Sequence, residues 1–279
     1  MHRDRDAWKK HMHTISPLVG KEDLWSVLGA GTGFLGSDNF PPFLDFLVEH
    51  SGGRYQKVEV PDAQPGTKPQ FKVIENPNWA PGDLYDTVPE KAVLYLDEFH
   101  KWSKDVKDLF IKKALESDGT FRIYNPNGGL DKISVPLTIL IGSNDGVSLL
   151  AAREKNGQRF GNPLTYEQML EKHQRIAHDE NAIAGAILAG NSTEEGGQIA
   201  KGTSEELLNR VKTVVVMRPL SPENLKAIAE SKLKVMIEKL ANSHGGFSGI
   251  KIEYTPAVID FIQSYHYVAD TTPAQFLIH

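Results

Sequence analysis

The sequence predicts an α/β fold, a five-stranded parallel sheet sandwiched between helices, followed by a small helical domain. Three observations carry this. Short apolar, β-branched runs alternate with helix-periodic stretches as far as Arg218, the pattern of parallel strands joined by crossover helices. One of these runs, Ala92-Val93-Leu94-Tyr95-Leu96, continues directly into two adjacent carboxylates, Asp97 and Glu98. After Pro219-Leu220-Ser221-Pro222 the alternation gives way to helical spacing.

The strands expected are Leu24–Leu28, Tyr55–Val60, Val93–Leu96, Leu137–Ile141 and Thr213–Met217, each a run of strand-forming residues bounded by turn formers. Helical patterns lie between them at Phe40–His50, Ser103–Leu115, Tyr166–Ala177 and Ser204–Val211. Val60 to Asp83 holds five prolines and two glycines and reads as an irregular surface loop. Asn156–Pro163 and Gly190–Gly202 read as polar connections. Ser221 is placed to cap a helix with Pro222 at its first position and Glu223 in its first turn. Leu225, Ile228, Leu233, Met236, Ile237 and Leu240 then recur at helical spacing. Ile250–Tyr254 reads as a short strand and Pro256–Tyr265 as a helix. The expected domains are therefore 1–218, α/β, and 219–279, a small helical unit.

Composition narrows the function classes. The chain has 279 residues, 40% hydrophobic and 24% charged, the balance of an ordinary soluble protein. No apolar run approaches the roughly 18 to 20 residues that span a bilayer. The charged start, Met1-His2-Arg3-Asp4-Arg5-Asp6, does not read as a secretory signal. With no cysteine there are no disulfides, thiolate metal sites or cysteine nucleophiles, and a cytoplasmic location is the expectation. A formal charge of −5 argues against a dedicated nucleic-acid binder but leaves room for basic patches. His2, His11 and His13 fall in a segment that reads as a solvated, frayed terminus rather than a metal site.

Two acids at the end of a buried strand are costly to desolvate unless a cation or a reaction uses them. A nucleoside-triphosphate site uses both: one acid holds Mg²⁺ and a second polarises the attacking water. Further features follow in order. The acids continue as Asp97-Glu98-Phe99-His100-Lys101, then an amphipathic helix and Glu116-Ser117-Asp118-Gly119-Thr120-Phe121. The strand Leu137–Ile141 runs through Gly142 into Ser143-Asn144. Leu207-Leu208-Asn209-Arg210-Val211 precedes the last strand, and Arg218-Pro219-Leu220-Ser221-Pro222-Glu223-Asn224-Leu225 opens the helical domain.

In this order the features resemble the AAA+ ATPases, most closely the second ATPase module of Clp-type protein unfoldases. The resemblance covers roughly residues 18 to 279 and is strongest over 92–145 and 205–240. It implies that Asp97 and Glu98 are the Walker B acids, Asp97 positioning Mg²⁺ and Glu98 activating water. Asn144 matches the sensor-1 residue, a neutral donor and acceptor able to orient that water. Arg210 matches an arginine finger, whose delocalised cation reaches a neighbouring subunit's nucleotide. A finger acting across an interface implies a head-to-tail ring, of like or unlike subunits. The residues after Pro219 match the lid, ATP and Mg²⁺ are the implied ligands, and a protein is the implied substrate.

The phosphate loop departs from the pattern. Gly-x-x-x-x-Gly-Lys-Ser/Thr is expected between the first strand and helix, and Leu28-Gly29-Ala30-Gly31-Thr32-Gly33-Phe34-Leu35-Gly36-Ser37-Asp38 stands there. Gly31 and Gly36 are correctly separated, but Ser37 replaces the lysine and Asp38 the Mg²⁺-binding hydroxyl. Gly31, Thr32, Gly33 and Gly36 still offer main-chain N–H groups to phosphate. A rival placement is Gly20-Lys21 in Ser16-Pro17-Leu18-Val19-Gly20-Lys21-Glu22, which lacks the leading glycine. Alternatively Val19 and Gly20 resemble the family's Val-Gly-Gln element, which contacts adenine. The sensor-2 arginine of Clp modules is also missing, because no arginine follows Arg218. Trp79 falls near the region of the family's pore aromatic, though packing within its long loop is the better reading.

The leading expectation is an ATP-binding, ATP-hydrolysing module that remodels proteins within a ring. A non-hydrolysing scaffold or regulatory subunit of the same fold is favoured by the degenerate loop. A helicase-loader-like nucleic-acid motor shares the core fold and is disfavoured by the acidic charge and the Clp-like lid.

Overall fold

A computed structural model describes residues 10–29, 40–60, 70–80, 92–116, 119–123, 129–145, 154–155, 158–159, 165–189, 204–242 and 253–261. The chain groups into two compact units, one of residues 1–144 with 204–212, the other of 145–203 with 213–279.

The first unit is built around a parallel sheet of three strands, in the order β1 (Met12–Ile15), β4 (Ala92–Leu96), β7 (Leu137–Ile141). Met12 pairs with Val93 and Ile15 with Leu96 on one side of β4, and Ala92 with Leu137 and Leu96 with Ile141 on the other. The central strand is buried at Ala92, Val93, Leu94 and Leu96, as its unbroken apolar run requires. Two antiparallel hairpins accompany the sheet. One joins β2 (Tyr55–Glu59) to β3 (Phe71–Glu75), the other β5 (Thr120–Arg122) to β6 (Lys132–Ser134). The Ser134 N–H donates to the Tyr55 hydroxyl at 3.0 Å, and the Leu130 N–H to the Val73 carbonyl at 3.0 Å, so the hairpins are tied together.

Helix α1 (Lys21–Leu28) turns Leu24, Val27 and Leu28 inward, and Gly29, at φ 89°, ends it in a conformation that costs glycine little. Helix α2 (Pro42–Glu49) starts at a proline and buries Phe43, Leu44, Phe46 and Leu47 along one face. Helix α3 starts at Lys104–Val106, capped by the Ser103 hydroxyl, and widens into a π turn at Lys107–Lys112. That turn places Phe110 and Ile111 together in the core. Phe43, Phe110 and Phe121 meet there with ring centroids 5.4 to 5.7 Å apart, an arrangement that adds to their burial.

In the second unit, Tyr166–Ile176 begins with a reciprocal cap: the Thr165 hydroxyl accepts from the Gln168 N–H at 3.3 Å and the Gln168 side chain from the Thr165 N–H at 2.9 Å. Helix Glu180–Ala189 follows. The long helix Pro222–Ala241 opens as its cap residues dictate, the Ser221 hydroxyl accepting from the Asn224 N–H at 3.2 Å. Lys226 on it pairs with Asp260 at 3.3 Å, and residues 256–261 are helical.

Several expectations are corrected. Among the described residues the parallel sheet has three strands, not five. Leu24–Leu28 is the end of α1, because its apolar residues fit one helix face and Asp23 caps the first turn from within. Tyr55–Glu59 is a strand but pairs antiparallel with Phe71–Glu75, which lies inside the segment expected to be irregular. Phe71, Val73 and Ile74 have strand propensity enough to form a ladder between flanking prolines. Thr213–Met217 has no regular structure, with Val215 73% exposed. It is held instead by His173, whose Nε2 donates to the Val216 carbonyl at 2.9 Å. Finally, Met12–Ile15 is a sheet strand rather than a frayed end. His13 packs on Phe43 and Phe46, where burial lowers its pKa, and His11 meets His50 at 3.4 Å.

Candidate functional site

The site lies at the carboxyl end of the parallel sheet, the edge at which open α/β sheets bind ligands. Three backbone hydrogen bonds assemble it. The Asp97 N–H donates to the Ile15 carbonyl at 3.0 Å, the Gly142 N–H to the Leu96 carbonyl at 2.9 Å, and the Phe99 N–H to the Gly142 carbonyl at 2.8 Å. The chain leaving β4 is thus fixed to both neighbouring strands before it turns. Asp97 and Glu98 are both half-buried there.

Asp97 is held by its own surroundings. Its Oδ1 accepts from the Glu98 N–H at 2.9 Å and from the Tyr95 hydroxyl at 3.2 Å, while the Trp102 indole N–H donates to its carbonyl at 3.0 Å. Burial, and then the nearby Asp97 and Glu98 carboxylates, raise the Tyr95 pKa above its ordinary value. Glu98 has φ 43° and ψ 44°, the left-handed region. For a residue with a β-carbon this costs about 1–3 kcal/mol, and such strain gathers at functional sites. Its carboxylate accepts from Lys101 Nζ at 2.7 Å, with Glu98's side chain 20% exposed. The pair draws the Glu98 side chain along the first helical turn.

Asn144 is brought to the same end. Its backbone N–H donates to His100 Nδ1 at 3.1 Å, which fixes the His100 proton on Nε2. Asp97, Glu98 and Asn144 are therefore gathered by one hydrogen-bonded junction between β4 and β7. Arg210 stands apart from this junction in its bonding. It follows the short helix Glu205–Leu208 and pairs with Glu206 at 3.1 Å and Glu116 at 3.7 Å. Lys112 joins Glu206 at 2.5 Å, and hydrogen bonds from Lys112 and then Arg210 hold the Glu206 carboxyl below the usual range.

Val19 and Gly20 sit at the start of α1, where their N–H groups donate to Asp23 Oδ2 at 2.8 and 2.9 Å. Beside them a cleft of about 290 Å³ is lined by Thr14, Ser16, Leu18, Asp23, Ser26 and their neighbours. Gly31, Thr32, Gly33, Gly36, Ser37 and Asp38 lie outside the described residues. Trp79 packs under the Arg54 guanidinium, 5.3 Å from its ring centroid.

Mg²⁺ at phosphate sites is bound by one or two carboxylates together with water and phosphate oxygens. Asp97 suits that role: the Tyr95 hydroxyl and the Glu98 N–H both fall on Oδ1, and among the described residues nothing donates to Oδ2. Sequence reasoning missed Tyr95, His100, Lys101 and Gly142. Strand alternation, which puts 95 and 97 on one face, was the available signal for Tyr95, and the three-residue spacing to Glu98 was the signal for Lys101; His100 and Gly142 depend on how β4 and β7 are joined.

Neither a protein-family profile nor a curated protein matches this chain. Solved structures do. One is a closed-state cryo-EM reconstruction of Hsp104 with ATPγS and FITC-casein, at 16% identity and a TM-score of 0.43, covering 96% of this chain and 34% of that one. Another is a Saccharomyces cerevisiae Hsp104:casein complex in an extended conformation, at 19% identity and a TM-score of 0.45, with the same coverage. The chain spans about a third of the length of these structures, 34% in each case. Among the described residues, no helix is long and apolar enough to cross a membrane.

Proposed function

We propose that this chain is an AAA+-type ATP-binding module that acts in protein remodelling within a ring-shaped oligomer. The observation that carries the reading is the placement of Asp97 and Glu98 at the carboxyl end of the central parallel strand, joined to the Asn144 segment through Gly142 and His100. Asp97 would hold Mg²⁺, which when bound neutralises phosphate charge. Glu98 accepts a proton from the attacking water, and the Asn144 amide orients that water. Arg210 serves a neighbouring subunit's site, and the helices after Pro219 serve as the lid.

A second reading has its own support. Ser37 stands where a cation should face the phosphates, and Lys101 occupies the Glu98 carboxylate. A subunit so equipped binds nucleotide weakly and contributes Arg210 to a competent partner, as a scaffold does.

The phosphate loop is testable by restoring its missing charge. Ser37→Lys is expected to tighten ATP binding roughly tenfold, the scale of one charge-assisted contact. Equilibrium titration with a fluorescent ATP analogue reads the change. Equal affinity in the variant would mean that the loop from Gly31 to Asp38 does not face phosphate.

A further inference from the structure

We infer that Tyr95 is a positioning residue that orients the Asp97 carboxylate for a divalent cation; this rests on the nucleotide-site reading above. Residues 95 and 97 lie two apart at the end of β4, on one face of the strand. The Tyr95 hydroxyl donates to Asp97 Oδ1 at 3.2 Å, and the Glu98 N–H donates to the same oxygen at 2.9 Å. Two donors converging on one oxygen fix the plane of the carboxylate and turn its other oxygen outward. At 3.2 Å the hydroxyl contact is longer than an ordinary O–H···O bond, so its contribution is orientation more than binding strength.

Gly142 makes the arrangement possible. A β-carbon there would lie 2.5 Å from the Tyr95 hydroxyl oxygen and 3.1 Å from its Cε2 and Cζ. The Gly142 backbone has little freedom to yield, because it donates to Leu96 at 2.9 Å and accepts from Phe99 at 2.8 Å. A side chain at 142 must therefore move the Tyr95 ring. The glycine that leads towards Asn144 and the tyrosine that precedes Asp97 form one steric unit, which couples the Asn144 segment to the orientation of Asp97.

The test measures metal rather than turnover. Mn²⁺ is titrated by electron paramagnetic resonance into the full chain with a non-hydrolysable ATP analogue. The unmodified chain is compared with Tyr95→Phe, Gly142→Ala and Asp97→Asn. Tyr95→Phe keeps the ring and removes the donor; Gly142→Ala keeps the donor and displaces the ring. Each is expected to weaken Mn²⁺ binding roughly tenfold, as loss of a partner behind a metal ligand does. Nucleotide affinity measured in EDTA stays unchanged in both, which a merely structural defect would not allow. If Asp97→Asn loses Mn²⁺ while Tyr95→Phe binds it normally, the inference is overturned and the nucleotide-site reading stands. Equal loss of nucleotide affinity in EDTA by Tyr95→Phe also overturns it. If the unmodified chain binds no Mn²⁺, or Asp97→Asn binds it as well as the unmodified chain, the metal role of Asp97 fails and the inference with it.

Discussion

Glu98→Gln is expected to lower ATP turnover by about 10²- to 10⁴-fold, the usual contribution of a general base, with nucleotide affinity retained. Glutamine has nearly the same shape, and its amide oxygen still accepts from Lys101, which Glu98 engages at 2.7 Å. The left-handed backbone at Glu98 is fixed by its connections and not by its charge, so the junction persists. What the variant loses is the ability to take a proton. A steady-state phosphate-release assay beside a binding titration separates the two effects. Turnover equal to the unmodified chain would remove Glu98 as the water-activating base. If the unmodified chain itself shows no turnover above a blank, alone or with its partner, the scaffold reading replaces the hydrolytic one.

Arg210→Ala is expected to act through the neighbouring subunit. Arginine fingers contribute about 10³- to 10⁵-fold where they operate, because they meet charge that develops only in the transition state. In the single chain Arg210 is paired with Glu206 and Glu116, and its side chain is 26% exposed. Partly exposed pairs of this kind contribute little to stability, about 0–1 kcal/mol, so the variant folds. Each of Arg210→Ala and Glu98→Gln is expected to turn over ATP far more slowly than the unmodified chain when assembled alone. Mixed in equal amounts before assembly, they place an intact Glu98 beside an intact Arg210 at roughly a quarter of random head-to-tail interfaces. Turnover should return to about that fraction. A mixture as inactive as its components would assign Arg210 to the Glu206 and Glu116 pairs alone.

The acids and their strand were legible because burial and charge conflict so sharply there. An unbroken apolar run ending in Asp97-Glu98 has few explanations, and Val93–Leu96 and Leu137–Ile141 both stand as parallel strands. The helix after Ser221 was equally legible, since its cap and its proline are local signals. Leu24–Leu28 misled because Leu24, Val27 and Leu28 satisfy either a buried strand or one helix face, and the deciding Asp23 cap is a contact across one turn. Thr213–Met217 has strand propensity throughout, yet propensity supplies no ladder partner, and its anchor is a histidine distant in sequence. Gly142 and His100 were invisible for the same reason: their roles exist only once β4 and β7 lie side by side.

The junction of Asp97, Glu98 and Asn144 is proposed to serve a nucleoside triphosphate. Calorimetric titration of ATP into the unmodified chain, with Mg²⁺ and again in EDTA, tests it most directly. The expected result is saturable binding that Mg²⁺ strengthens and that Asp97→Asn makes indifferent to Mg²⁺. Absence of saturable heat at millimolar ATP in both conditions would contradict it.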